Sequence, residues 1–229
     1  MRSAVSKSHL RELPREVLRE LLRDAVGTRI PAGSVTHREG EDPRHLELVI
    51  SGILRAFVTA PDGRTMTVRY CRPGALLGAM SLFTTEFVMP ATVQAFVDAE
   101  LLKMSPMVVS RAAERDVRVA RAFLGELSER AWAFIYEIPG SAFATVRQRV
   151  ARHLLDLASE RGPGHQTGQE LVAGVSQREL AEAAGTVREV IVRVLRELRR
   201  EGVVRTQRDG IVIIDPSRLT LEQGWNSGS

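Results

Sequence analysis

Apolar and polar positions change their period twice along this chain. From about Ile30 to Met104 short alternating stretches are broken by Pro31-Ala32-Gly33, Gly40, Gly52, Asp62-Gly63 and Pro73-Gly74. A period of two, punctuated by turn residues at such spacing, predicts a small antiparallel barrel or sandwich. The period then lengthens. Val117, Ala120, Leu124, Leu127, Ala131, Phe134 and Ile138 recur at alternating intervals of three and four. That is a seam sustained over about three heptads, and it predicts one long helix from Pro106 to Ile138. At 1.5 Å per residue such a helix is about 45–50 Å long. A small roll covers only part of that length, so the matching helix of a second copy is the natural partner for the seam. A helix packed wholly within its own subunit is the other reading. Pro139-Gly140 is predicted to interrupt the helix, as a hinge or a plain linker. Residues 143–158 predict a further helix, with Leu154, Leu155 and Leu157 on its apolar face. The turn-rich stretch 161–170 predicts a solvated loop.

The segment from Ser176 to Gly202 carries the most specific pattern. Ser176 is a good N-cap, and Glu179 three residues later completes a capping box. Leu180, Ala183 and Ala184 form the apolar side of that first helix. Gly185 supplies a positive φ that ends it. A second helix is predicted to start near Thr186. Its buried stripe is Val190, Ile191, Val194, Leu195 and Leu198, and its opposite face carries Arg188, Glu189, Arg193, Arg196 and Arg200. Two short helices joined by a tight turn, the second strongly basic, fit a helix-turn-helix that reads a DNA major groove. Arg bonds bidentately to guanine O6 and N7, and Glu accepts from cytosine N4. A surface helix laced with Arg–Glu pairs is the plainer alternative, since Glu189 and Arg193 are spaced i,i+4. The residues C-terminal to the helix argue against it. Val203 to Arg205 and Ile211 to Ile214 predict two strands around the hairpin signal Asp209-Gly210, which makes a winged helix.

These residues resemble the DNA-binding domain of the Crp/Fnr superfamily of bacterial transcription regulators. The family's recognition helix carries an R-E-x-V-x-R core, and this chain has Arg188-Glu189-Val190-Ile191-Val192-Arg193. The resemblance implies that Arg188, Glu189 and Arg193 read bases. It places Ser176, Gln177 and Arg178 against phosphate, with Gln177 standing where an Arg is usual. Thr186 and Val187, at the start of the second helix, complete the candidate contacts. The stretch from His37 to Phe83 resembles the family's cyclic-nucleotide-binding β-roll, through Gly40, Leu48 to Gly52, Asp62-Gly63-Arg64, and Pro73-Gly74 leading to Leu77-Gly78.

The family resemblance thus implies an α+β chain: a β-roll with an N-terminal helix over 1–105, a dimerisation helix over 106–139, and a winged helix-turn-helix over 140–229. It also implies a homodimer on palindromic double-stranded DNA, acting beside RNA polymerase in the cytoplasm.

Composition narrows the alternatives. The chain has 229 residues, enough for two modest domains, and 44% are apolar. No apolar run reaches the roughly 18 residues of a membrane helix, and the N-terminus has no apolar signal region. One cysteine, Cys71, excludes an intrachain disulfide framework and the four thiolates of an iron–sulfur cluster. The formal charge is only +4, yet the bases are 30 Arg and 2 Lys. Arg suits phosphate and guanine better than Lys does, although a bias in genomic base composition explains most of these arginines equally well. No nucleophile–base pair, metal-ligand spacing or phosphate loop occurs, so an enzyme is not expected. A regulatory module that binds protein rather than DNA remains the alternative from another class.

Family members that bind cyclic AMP hold its sugar-phosphate with a G-E-L turn and a following R-S-A. Here Ala79 stands for the Glu, Met89 for the Arg and Pro90 for the Ser. A buried phosphate without that Arg lacks its counter-charge, so cyclic AMP is not expected and the effector is unknown. Phe134 stands where the family contacts adenine. With Leu77, Gly78, Met80 and Thr92 these residues mark a candidate effector pocket, either lined by apolar side chains or closed by them. Haem would need an axial ligand, and His37, His45, His153 and Cys71 are the candidates. His37 and His45 flank a charged turn and are predicted to be solvated. Cys71 is predicted to be a buried, inert strand end.

Overall fold

A computed structural model describes residues 1–84, 86–158, 171–208 and 210–222, and for 136–142 the backbone alone. The chain divides into two compact units. One holds Met1–Val58 and Val68–Ala133, the other Thr59–Thr67 and the chain from Phe134 onward.

The first unit opens with α1 (Arg2–Lys7), a 3-10 turn at His9–Glu12, and α2 (Arg15–Leu21). Eight strands follow: β1 (Val26–Ile30), β2 (Val35–His37), β3 (Leu46–Ser51), β4 (Leu54–Thr59), β5 (Thr65–Cys71), β6 (Leu76–Leu77), β7 (Thr92–Ala95) and β8 (Ala99–Met104). They form two four-stranded sheets, β1-β8-β3-β6 and β2-β7-β4-β5, whose registered pairs are antiparallel.

Strand β3 explains how the layers stack. Leu46 and Leu48 point to a core shared with Leu10, Leu76, Leu102 and Phe123. Val49 points to a second core with Leu54, Leu77, Met89, Val93 and Leu101. Leu46 to Val49 are all buried, so both faces of the strand are covered, with Glu47 the one charged side chain among them. Each fully buried Leu or Phe removes apolar area worth about 1.5–3 kcal/mol.

The helical region differs from expectation in two places. The single helix from Pro106 is two, α3 (Pro106–Arg115) and α4 (Val117–Ala142). They part at Asp116, which is extended (φ −134°, ψ 106°). Its carboxylate accepts from the Arg118 backbone N–H at 2.9 Å and from the Arg118 guanidinium at 2.7 Å, so it starts a new helix as an N-cap does. Pro139 does not end α4. Proline removes one backbone donor, and the flanking turns keep theirs. The chain leaves the helix at Phe143–Thr145 instead.

Along α4, Val119, Ala122, Phe123 and Glu126 are buried against the first unit's own core. Of the predicted seam, Val117 and Leu124 are exposed, as are Ala131 and Phe134, and Ala120 is half-buried. Leu127 departs from the seam, because it packs on the core cluster of its own chain. The side chain of Ile138 lies outside the described residues.

His37 is a correction. It is buried, not solvated, because β2 turns it inward. Its Nδ1 lies 3.4 Å from the buried Glu47 carboxylate, which also meets Lys103 at 3.7 Å. Its Nε2 meets the His45 carbonyl at 3.3 Å. His45 itself is exposed.

The second unit builds α5 (Val146–Ala158), β9 (Leu171–Ala173), α6 (Gln177–Ala183), α7 (Arg188–Arg200), β10 (Val204–Gln207), β11 (Gly210–Ile213) and α8 (Pro216–Glu222). The strands form one antiparallel sheet, β10-β11-β9. Helix α5 starts at Val146 rather than Phe143 because Thr145 and Gln148 make a capping box. Gln148 N–H donates to Thr145 Oγ1 at 3.2 Å, and Thr145 N–H donates to Gln148 Oε1 at 2.8 Å. Residues 161–170 and Asp209 lie outside the described residues.

Candidate nucleic-acid interface

The site is assembled from α6, α7 and the wing. Helix α6 begins as its sequence predicts. Glu179 N–H donates to Ser176 Oγ at 3.2 Å, and Ser176 N–H donates to Glu179 Oε2 at 2.8 Å. The N–H groups of Gln177 and Arg178 point out of the first turn, as they must at any helix start, toward an outside acceptor. Leu180, Ala183 and Ala184 are buried beneath. Gly185 follows at φ +63°, in the left-handed region that ends α6 and turns the chain.

Helix α7 begins one residue later than expected. Its N-cap is Val187, not Thr186, and no side chain caps it. Ile191, Val194, Leu195 and Leu198 are buried and Val190 is half-buried, so the predicted stripe is the face that packs. Arg188, Glu189, Arg193, Arg196 and Arg200 are exposed on the other side. Among the described residues no ion pair joins Glu189 to Arg193. Both side chains therefore stay available, which the alternative of a self-paired surface helix did not anticipate.

The far end of α7 is held from below. Arg147 on α5 reaches Glu201 at 2.7 Å, Glu222 at 2.8 Å and Glu197 at 3.6 Å. Arg218 on α8 also reaches Glu201, at 3.1 Å. The Arg147 hydrogen bonds hold the Glu201 and Glu222 carboxyls below the usual carboxylate range. Arg149 donates to the carbonyls of Ala184 and Ala144, both at 2.8 Å, and so ties the inter-helix turn to α5. His153 is buried beneath α6. Burial, with the Arg152 charge next, pushes its pKa down to about 3, and a contact with the Ala183 carbonyl offsets only part of that.

A cleft of about 620 Å³ opens between these parts, lined by Ser176, Gln177, Arg178, Arg188, Thr206 and Arg208 among others. Wing residues Thr206, Gln207 and Arg208 were not expected at the site. The hairpin signal at Asp209-Gly210 marked the wing, but a strand end carries no motif that says which side chains reach the cleft. Arg178 is largely exposed and pairs with Glu182 one turn on, at 3.3 Å. The arrangement places guanidiniums, amides and free helix N–H groups around a groove, which suits a phosphate backbone.

The candidate effector residues of the first unit divide between two cores and the surface. Leu77 and Met89 fill the inner core, while the buried Ala79 sits in the helix-side core. Met80 and Pro90 are exposed, Thr92 is half-buried, and Phe134, half-exposed, belongs to the other unit. Gly78 sits at φ +77° with the His45 carbonyl 3.0 Å from where a Cβ would be, so only glycine fits that turn. A charged cluster also lies here that no sequence motif signals. Arg130 donates to Glu126 at 3.0 Å and to the Leu76 carbonyl, and Arg69 lies 3.9 Å from the same buried carboxylate. Cys71 is buried, and burial pushes its thiol pKa up.

Known proteins share both parts. Residues 148–221 match the Crp-like helix-turn-helix domain, and residues 28–116 match the cyclic nucleotide-binding domain. A cyclic AMP receptor protein from Thermus thermophilus is 35% identical over 76% of this chain and 77% of its own length. The chain belongs to the Crp/Fnr family of transcription regulators. A second relative, the transcriptional regulator LdrP of the same organism, is 29% identical over 81% of this chain and 90% of its own length. A crystal structure of a Crp-family regulator, also from Thermus thermophilus, superposes with a TM-score of 0.69 at 28% identity, covering 86% of this chain and 96% of that one. A Crp/Fnr chain is a DNA-binding regulator and not an enzyme. Among the described residues no helix is long and apolar enough to cross a membrane.

Proposed function

We propose that this Crp/Fnr chain acts in the cytoplasm as a homodimer on two-fold-symmetric DNA, beside RNA polymerase. Its effector is something other than cyclic AMP, or it is competent without one. The observation that carries the reading is the start of α7, with Arg188, Glu189 and Arg193 exposed and Glu189 not paired with Arg193, while the opposite face of the helix is buried and its C-terminal end is held by Arg147. Arg188 and Arg193 read guanine edges and Glu189 a cytosine amine. Ser176, Gln177, Arg178 and the wing hold phosphate. Two copies of α7 one helical turn apart then address a palindrome.

The exposed apolar side of α4 supports the dimer. Val117, Leu124, Trp132, Phe134 and Ile135 are each about half exposed or more. Two such stripes bury one another across a two-fold axis. The effector reading rests on Ala79 and Met89, which offer no charge to a phosphate, and on Glu126, which already neutralises Arg130.

Selection of the full chain against a random duplex library tests the proposal. A recurrent palindrome is expected, with affinity falling linearly in log–log with salt. No enriched site, or a flat salt response, overturns it and favours a protein partner.

A further inference from the structure

The two helices of the motif start in opposite ways. Helix α6 is closed by a complete capping box at Ser176 and Glu179. Helix α7 starts on Val187, whose side chain has nothing to accept with. Valine is among the poorest N-caps, and Ser or Thr there is worth about a further factor of five in helix stability. Thr186 stands one residue too early to supply the cap. Val187 is 51% exposed as a residue, so core packing does not explain it either. Among the described residues from Leu171 to Arg208, no other large apolar side chain is exposed. A sequence that breaks a local rule without a packing gain does so most often at a functional site.

We propose that Val187 is a specificity residue that reads the 5-methyl group of a thymine in the major groove. The inference rests on the DNA reading above and deepens it. Val187 immediately precedes Arg188 and Glu189, at the end of α7 that reaches base edges. Its surroundings are polar: Gln177, Arg178, Arg188 and Thr206 line the adjoining cleft. Apolar contact with the thymine methyl is the one major-groove signal an aliphatic side chain recognises. Valine at this place loses the cap and gains that contact. Serine would do the reverse.

The test uses the full chain and the duplex selected from the random library. Each thymine of the half-site is replaced in turn by deoxyuridine, which lacks only the methyl. One symmetric position is expected to weaken binding about fourfold per half-site, the value of burying one methyl group. In Val187→Ser the ratio between thymine and deoxyuridine at that position falls to about one. The variant melts no lower than the parent, because serine restores the cap. A selected half-site without thymine, or one in which every thymine tolerates deoxyuridine, overturns this inference and leaves the DNA reading intact. A ratio in Val187→Ser equal to the parent's assigns the methyl contact to another residue and overturns it too. Failure to select any site is the different result that removes the DNA reading itself.

Discussion

His153 makes the DNA-binding unit sensitive to mild acid. Its ring is almost wholly buried on α5, and burial, then the Arg152 charge, lowers its pKa from 6.5 to about 3. The folded state therefore holds a neutral ring where the unfolded chain binds a proton. The stability this provides is complete above pH 6.5 and is lost as pH falls from 6.5 toward 3. With one pKa unit worth about 1.4 kcal/mol, the loss between pH 7 and pH 5 is about 2 kcal/mol. That figure is nearly the same for any folded pKa below 4, because at pH 5 only the unfolded chain takes up the proton. Glu201 and Glu222 also lose stabilising charge in acid, since Arg147 holds their pKa values down. They do so equally in a variant, so the difference between two proteins isolates the histidine. Urea unfolding of the parent and of His153→Leu at pH 7 and pH 5 measures it. The parent is expected to lose about 2 kcal/mol more than the variant. The ring Cε1–H resonance of His153, followed by NMR, should not titrate above pH 4. A midpoint near 6.5, or equal pH slopes for the two proteins, would refute the reasoning.

The same geometry sets three further outcomes. Arg188→Ala should relax base preference at one symmetric position and cost about 1–3 kcal/mol on the selected site; uniform weakening on all sequences, read by competition binding, speaks against base readout. Leu124→Glu places like charges on the proposed two-fold seam, and light scattering should then report a monomer; Leu124 is the better probe than Leu127, which is partly buried in its own core. Cyclic AMP well above micromolar levels should leave the melting temperature unchanged, and a clear rise would restore the site that Ala79 and Met89 argue against.

The DNA-binding half was largely legible because its signals are local. A capping box, an αL glycine and an apolar stripe each act within one or two turns, and Ser176, Gly185 and Ile191 to Leu198 behave as read. The misreadings have the same physical origin in reverse. Asp116 looks like a solvated helix residue until its carboxylate is seen to take the N–H of Arg118. Pro139 looks like a stop, yet a helix of 26 residues continues through it. His37 looks solvated because its neighbours in sequence are charged. Its fate is set by Glu47 on a strand of the other sheet, which no local pattern reports. The effector residues were grouped by sequence position, and the 3-10 turn at Ala79–Leu82 sends neighbours in sequence to different environments. Leu77 and Met89 face one core, Ala79 another, and Met80 faces solvent.

The two ends of α7 contrast, and on the proposed reading that contrast serves base recognition. At the C-terminal end, three carboxylates converge on Arg147, and Arg218 adds a second cation. At the turn, Arg149 grips the Ala184 carbonyl. These contacts are partly buried and redundant, so no single one must bear the position of the helix. At the N-terminal end the chain leaves every comparable group uncommitted: no cap on Val187, no ion pair joining Glu189 to Arg193, and the Arg188 side chain at a cleft rim. A helix clamped at one end and open at the other has a fixed backbone, while its exposed side chains keep their rotamer freedom until docking orders them. The contrast also separates the two kinds of lesion. Removing Arg147 should lower stability and weaken all DNA alike, whereas changing Val187 or Arg188 should alter which sequence is chosen while the fold melts as before.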